Sequence, residues 1–521
     1  MRRCPACQRS YVDETVRFCR HDGSSLVIDT ASSDSVSTLM LPRSAARDER
    51  LVEPPHSSSP SIAVLPFVNM SSDADNEYFC DGLAEELLNT LAKVDGLKVA
   101  ARTSAFSFKG KNVDLRDIGR KLGVGAVVEG SVRKSGNRLR INAQLVNVED
   151  GYSLWSEQYD RELHNVFSIQ EELSLAIVDG MKLKLPGTDR AAMLRRYTDN
   201  SEAYQHYLKG RYHQNKWTPE GLRKSVEHFE QAIAIDQNYA LAYAGVADCF
   251  ASLGAANAFG LPVNETAPRA KAAAIRALEI DNTLPEAHSS LALVKLHFEW
   301  DWQGAEEGFK RALELNSNYA TGLHWYSHYL IAMGRMDESL AVSRRALELD
   351  PLDLETNVHL AWHYYFARDY DQVLDVARKT LEMDSTFGEA HWFTGWAYEQ
   401  KELYDEAIAA YQRSWLLQEK PELLAWLGHA YALSGDRTQA QKLLDKLKDD
   451  SRRNYVSPYW LAIIHLGLNE VSKTFECLQK ACDERNAWLI YLNVNPLFDS
   501  IRSDRRFEQL LERVRLREQG S

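Results

Sequence analysis

From residue 201 onward, one repeating pattern limits what this chain can become. The phrases "FEQAIAID", "AIRALEID", "FKRALELN", "SRRALELD", "ARKTLEMD", "YQRSWLLQ", "LDKLKDD" and "LQKACDE" align on Ala232, Ala277, Ala312, Ala346, Thr380, Ser414, Leu447 and Ala481, at intervals of 45, 35, 34, 34, 34, 33 and 34 residues. Helical patterns fill the sequence between them. A unit of this length is one helix–turn–helix. It cannot bury its apolar face alone, so neighbouring units must stack into a continuous array. A small residue at the aligned position lets paired helices cross closely; Leu447 departs from this and marks the weakest repeat. The long first interval contains "GAANAFGLPVNET", read as an inserted loop.

The period and its markers resemble the tetratricopeptide (TPR) family. Around Gly395, "FTGWAYEQKELYDEAIAAYQ" sets Tyr398, Ala407 and Tyr411 at the family's offsets. The resemblance implies an all-α superhelix of about eight repeats over residues 201–516, its concave groove lined by the first helix of each pair. Counted from Gly395 and its equivalents, the groove positions are His324 and His328, Val358 and Trp362, Trp392 and Trp396, and Ala425 and His429. Tyr365 and Phe366 extend the wall one turn beyond Trp362. Aromatic rings bury large areas with few rotors and are favoured at binding surfaces. The expectation is a protein or peptide partner held at His324, His328, Trp362, Tyr365, Trp392, Trp396 and His429, with at least two tryptophans open to the groove. The competing reading is ordinary core between repeats.

Ahead of the repeats, residues 61–186 read as an α/β domain with the order β-α-β-α-β-β-β-α. "SIAVLPFVN" is a buried strand between turn signals, and Leu83, Leu87, Leu88 and Leu91 follow at helical spacing. Asp81 and Gly82 read as a helix opening. "DLRDIGRKLG" is a short helix ended by Gly123. Leu139, Ile141, Ala143 and Leu145 alternate on one face of a strand. That pattern breaks at Asn147, where either the strand ends or both faces are partly covered. Ser-Gly-Asn and Glu-Asp-Gly are hairpin turns. Arg133, Lys134, Arg138 and Arg140 gather on one hairpin, read as a solvated ribbon in preference to an anion site. The stretches "IAVLPFVNMSSDADNEYFCDGLAEEL", "VAARTSAFSFKGK", "DIGRKLGVGAVVEGSVRKSGNRLRINAQLVN" and "LWSEQYDR" closely resemble the TolB amino-terminal-like domain, which implies a mixed sheet with helices. "WLIYLNVNPLFDSIRSDRRFEQLLERV" resembles the closing segment of TPR proteins that carry such a domain.

The head, "CPACQRSYVDETVRFCRHDGSSL", resembles the short zinc ribbon at the start of many bacterial regulatory proteins. Structural zinc takes four thiolate or imidazole-type ligands. Cys4, Cys7 and Cys19 supply three. Gly23 permits the tight turn of a second knuckle after Asp22, which favours Asp22 as the fourth; His21 is the alternative on ligand chemistry. A segment of about 25 residues needs such a staple because it cannot build a core. The expected cofactor is one structural zinc in a ribbon over residues 1–26. Residues 27–60, rich in Ser, Asp, Arg and Pro without aromatics, read as a flexible linker.

With 521 residues and a net charge of −13, the chain is multidomain and unsuited to general phosphate contact, which argues against nucleic acid as a partner. Seven cysteines in this length form no disulfide framework. No apolar run approaches the roughly 18 residues that cross a bilayer, and "MRRCPACQRS" lacks a signal-peptide core, so the expected location is the cytoplasm. There is no Gly-rich phosphate loop, kinase signature or cyclase-sized region, and no Ser/His/Asp or Cys/His arrangement. The reading is a non-enzymatic interaction scaffold or regulatory adaptor. The alternative is a signalling or transcription-associated regulator that uses the ribbon and the α/β domain for nucleic-acid or ligand contact.

Overall fold

A computed structural model describes residues 60–516 apart from 163–165, 184–189, 192–193, 257–262 and 454. Of the first 59 residues it describes β1 (Arg2–Arg3), β2 (Ser10–Tyr11) and β3 (Val27–Ile28). The chain divides into two units, residues 1–57 and 58–521. In the first, β1 pairs antiparallel with both β2 and β3. Val27–Ile28 therefore belongs to a sheet, not to the linker expected from residue 27 onward. Cys4, Cys7, Cys19, Asp22 and His21 lie outside the described residues.

The second unit opens on a six-stranded mixed sheet. Its strands are β4 (Ser61–Val64), β5 (Val68–Asn69), β6 (Lys98–Val99), β7 (Ala126–Ser135), β8 (Arg138–Asn147) and β9 (Ser153–Glu162). β4 lies parallel between β6 and β7, and β7-β8-β9 form an antiparallel meander. Leu139, Ile141, Ala143 and Leu145 are all buried, as their alternation requires. The break after them is an irregularity at Leu145/Val146, and the strand continues to Asn147 with both faces covered. Val148 just beyond it presses on Gly119, where a Cβ would sit 2.2 Å from its methyl, so only glycine fits. Helices α1 (Glu77–Leu91), α2 (Arg102–Phe106), α3 (Leu115–Leu122) and α4 (Val166–Gly180) complete the layer.

Asp81 does not open a helix. α1 begins one turn earlier, and Asp81 is a buried member of it, bound to Lys109 Nζ at 2.6 Å. On the basic hairpin, Arg138 and Arg140 both pair with Asp160 across the sheet at 3.1 and 2.8 Å, which accounts for those two cations as surface ion pairs.

Eight helix pairs follow among the described residues. They are α5 (Ser201–Gln214) with α6 (Pro219–Ile235), α7 (Ala240–Ala256) with α8 (Val263–Ile280), and α9 (Pro285–Val294) with α10 (Trp302–Leu315). Next come α11 (Ala320–Ala332) with α12 (Met336–Leu349), α13 (Leu354–Phe366) with α14 (Tyr370–Met383), and α15 (Gly388–Gln400) with α16 (Tyr404–Gln418). The last are α17 (Pro421–Leu433) with α18 (Arg437–Asp450) and α19 (Pro458–Gly467) with α20 (Val471–Asp483). Every aligned position from Ala232 to Ala481 is a buried residue in the second helix of its pair, Leu447 included. Gly395 shows why a small residue is needed at its own position: a Cβ there would sit 2.3 Å from the Tyr411 ring of the partner helix. After α20 the chain forms short 3-10 turns at Ala487–Tyr491 and Pro496–Ile501, then α21 (Arg505–Arg513).

The α/β layer docks on the array at two places far apart in sequence. Near the first repeat, the Leu208 methyls of α5 fill the space over Gly82 of α1. Near the fourth and fifth, the Ala101 N–H donates to the Leu349 carbonyl (2.7 Å), and Asp350 accepts from the Ser104 N–H (2.8 Å) and hydroxyl (2.5 Å). The layer therefore bridges the superhelix across its hollow side.

Candidate functional site

That bridge encloses a cavity of about 1060 Å³. One wall is the α/β layer, contributed by α1, the start of α2 and α4. The opposite wall is the series of first helices α5, α7, α9, α11, α13, α15 and α17. The turn at Ala487–Tyr491 forms part of the lining through Trp488 and Tyr491.

The expected aromatic groove is not open. Trp362, Trp392 and Trp396 are 7%, 5% and 1% exposed, so the expectation that at least two tryptophans face a free groove is corrected. The reason is the C-terminal turn. Trp488 inserts among the rings, with centroids 4.9 Å from Trp362, 5.3 Å from Trp460 and 6.2 Å from both Trp392 and Trp396. Trp362 and Trp392 reach the cavity wall, whereas Trp396 and Tyr365 pack against each other in a tilted pair at 4.7 Å inside the core. His429 is also buried, its Nδ1 3.1 Å from Glu399 Oε1, as a hydrogen-bonding group between repeats. Of the expected partner residues, His324, His328, Trp362 and Trp392 line the cavity; Tyr365, Trp396 and His429 do not.

The cavity's character comes from residues that groove counting misses. Ten carboxylates and six cationic side chains line it. Glu85 on α1 is the best compensated of the acids. It receives Arg211 Nε at 2.8 Å, Arg102 Nε at 2.8 Å and Asn215 Nδ2 at 2.9 Å. Burial alone would raise its pKa, but the Arg211 and Arg102 charges hold it below the usual carboxylate range. Its neighbours are less well served. Burial and the charge of Glu85 push Glu86 up to about 7, and burial pushes Asp248 up to about 6. Burial and Glu389 push Glu355 up to about 8. Glu286 Oε2 has no hydrogen-bond partner. Tyr204, Tyr207, Tyr239 and Tyr319 line the same space, their phenols pushed well above the usual value by burial. Lys420, bonded to Glu389, is one cation set against the acids of α13, α15 and α17.

On α11 and α13 the sequence carries "HWYSH" and "HLAWH", so His324 and His328, and again His359 and His363, are four apart on one helical face. That doubled spacing is the signal that could have identified His359. Burial lowers His324 to about 4; burial with the His324 charge lowers His363 to about 3. Burial likewise lowers His297 to about 4.

These shifts fix a pH profile. Glu86 and Glu355 have raised folded pKa values, so their contribution is present in acid and lost as pH rises through about 7 and 8. His297, His324 and His363 have lowered ones, so the unfolded chain takes up protons first as pH falls below about 6.5. Thermal stability is expected to peak between about pH 6 and 7 and to decline on both sides. Glu86→Gln should gain on the parent as pH rises from about 4.5 to about 7 and keep a constant lead above that, its slope bounded by about 1.4 kcal/mol per pH unit. Melting curves from pH 5 to 9 check this. Glu355 should contribute less, because its carboxylate is 48% exposed to the lumen.

Residues 57–176 match the HilA/YgeH-like transcriptional regulator second-domain family, and residues 320–351 match the tetratricopeptide repeat family. The helical part of the chain is TPR-like, a stack of helix pairs of which α11–α12 matches that family. "Putative adenylate cyclase 3" of Rhizobium meliloti (strain 1021) is 36% identical over 256 residues, 48% of this chain and 43% of that protein. "Transcriptional regulator HilA" of Salmonella typhimurium is 23% identical over 245 residues, 47% of this chain and 43% of that protein. The chain thus spans less than half the length of the curated relatives it matches. Among solved structures, yeast Tom70 is 14% identical with a TM-score of 0.39, covering 67% of this chain and 82% of that one. No helix among the described residues is long and apolar enough to cross a membrane.

Proposed function

We propose that this chain is a non-enzymatic regulatory adaptor whose TPR cavity receives a short, positively charged peptide segment of a partner protein. The observation that carries this reading is the excess of carboxylates in an enclosed, aromatic-walled space, together with the partnerless Glu286 Oε2. Desolvated acids gain most from an incoming cation, and the Tyr and Trp faces add cation–π attraction. The volume is at the upper limit of small-ligand sites, which suits a few residues and not a folded domain. The two named relatives support a regulatory role. One is named a putative adenylate cyclase and the other a transcriptional regulator. The amino-terminal-like domain of TolB remains our reading of residues 61–186, and a structural zinc at Cys4, Cys7, Cys19 and Asp22, with His21 as the alternative, our reading of the head.

Titrating the full chain with tri-arginine and tri-glutamate peptides while following tryptophan fluorescence tests the cavity. Tri-arginine is expected to bind in a salt-dependent manner. Glu286→Gln/Glu422→Gln, at two cavity-lining acids on α9 and α17, should weaken it at least about tenfold, the loss of one charge-assisted contact or more. Equal binding of tri-glutamate, or unchanged affinity in the double variant, overturns the reading.

A further inference from the structure

The cavity wall contains a second feature that the peptide reading does not use. His324, His328 and His359 place one ring nitrogen each within 4.8 Å of the others, the single such group of His, Cys, Asp or Glu ligand atoms among the described residues. His328 Nε2 and His359 Nδ1 face each other at 2.9 Å, and the His324 and His359 rings stack at 4.6 Å. We propose that these three histidines form a transition-metal site, with zinc as its first occupant, open on one side to the cavity.

Two observations argue for this over a plain cluster of rings. First, His328 Nδ1 is 2.9 Å from Tyr491 Oη, a partner that orients the inner nitrogen of that ring, while Glu355 Oε2 stands 3.6 Å from His359 Nε2, beyond hydrogen-bond distance. Second, the set has an open side. All three residues line the cavity, so a fourth position can take water or a ligand atom from the lumen. His363 is excluded because both its nitrogens are occupied by Ser327 and Ser339.

Zinc–nitrogen bonds of about 2.0–2.1 Å require tetrahedral donors roughly 3.3 Å apart, so small ring rotations convert the present spacing. An all-imidazole set suits zinc, copper or nickel over calcium or magnesium. Binding breaks the hydrogen bond between His328 and His359: the proton between them moves to the outer nitrogen of its own ring, so both imidazoles stay neutral and both inner nitrogens face the metal. This proposal does not rest on the cationic-peptide reading.

The experiment uses the full chain with Cys4→Ser, Cys7→Ser and Cys19→Ser, so that thiolates in the head cannot contribute. After stripping with chelator and dialysis against zinc, about one zinc per chain is expected, and cobalt(II) should give visible ligand-field bands that zinc displaces. His324→Gln/His359→Gln should lose both signals, while His391→Gln, away from the cluster, should retain them. Tyr491→Phe should weaken affinity about tenfold without altering the saturating stoichiometry. Zinc retained by the double histidine variant overturns the proposal. So does a parent chain with neither stoichiometric zinc nor cobalt bands, which keeps the test decisive if the double variant fails to fold.

Discussion

Glu85→Ala is expected to be among the most destabilising single substitutions in the chain. Glu85 is 3% exposed and receives two guanidiniums and one amide from two segments, the start of α2 and the first helix of the first repeat with its C-cap. Deleting the carboxylate leaves Arg102 and Arg211 side by side in a largely buried space without the acid that bonds them both. Breaking a buried ion network from one side costs about 3–5 kcal/mol, because the remaining charge is uncompensated. Glu85→Gln should cost less, since it keeps hydrogen-bond acceptance. The same group predicts a pH effect. Its folded pKa is lowered, so its contribution is present above the usual carboxylate value and is lost as pH falls through the folded one. Urea titrations at pH 7 and pH 4 check both points: the gap between parent and Glu85→Ala should be wide at pH 7 and narrower at pH 4.

Trp488→Ala should have a comparable effect from a different cause. Its ring touches six other aromatic rings, from Trp362 and Trp392 to Tyr459 and Tyr491. Removing so large a buried side chain costs about 3–5 kcal/mol through lost burial and the hole left behind. Chemical denaturation measures the loss, and binding of a hydrophobic dye should rise as the hollow side opens. Trp362→Ala and Trp396→Ala should behave similarly, so those substitutions report on stability before they report on partner capture.

The repeats were legible because stacking imposes a period, and a period survives in the residues. Ala232 through Ala481 mark all eight second helices. The sheet was legible for the same reason, through the alternation of Leu139, Ile141, Ala143 and Leu145. The site was not. Its walls join Glu85, Arg211, Glu286 and Glu355 from elements separated by long stretches of chain, and no local pattern encodes which of them face one another. Family register pointed to Val358, a core residue, while His359 beside it faces the cavity. The aromatic stripe failed differently: its spacing was read correctly, but no periodicity announces that Trp488 returns to cover it.

The return of that turn changes how the array should come apart. An ordinary solenoid frays from its ends, because each repeat answers only to its neighbours. Here the Trp302 indole donates to the Val514 carbonyl, 212 positions away, and Ser104 holds Asp350 across 246. One clasp ties the third repeat to the C-terminal segment and the other ties the α/β layer to the end of the fourth repeat, so partial unzipping must break them before those repeats are free. The molecule should therefore unfold in a single sharp transition and complete its fold only after residues near 490 have been synthesised, with the earlier repeats waiting half-assembled until then.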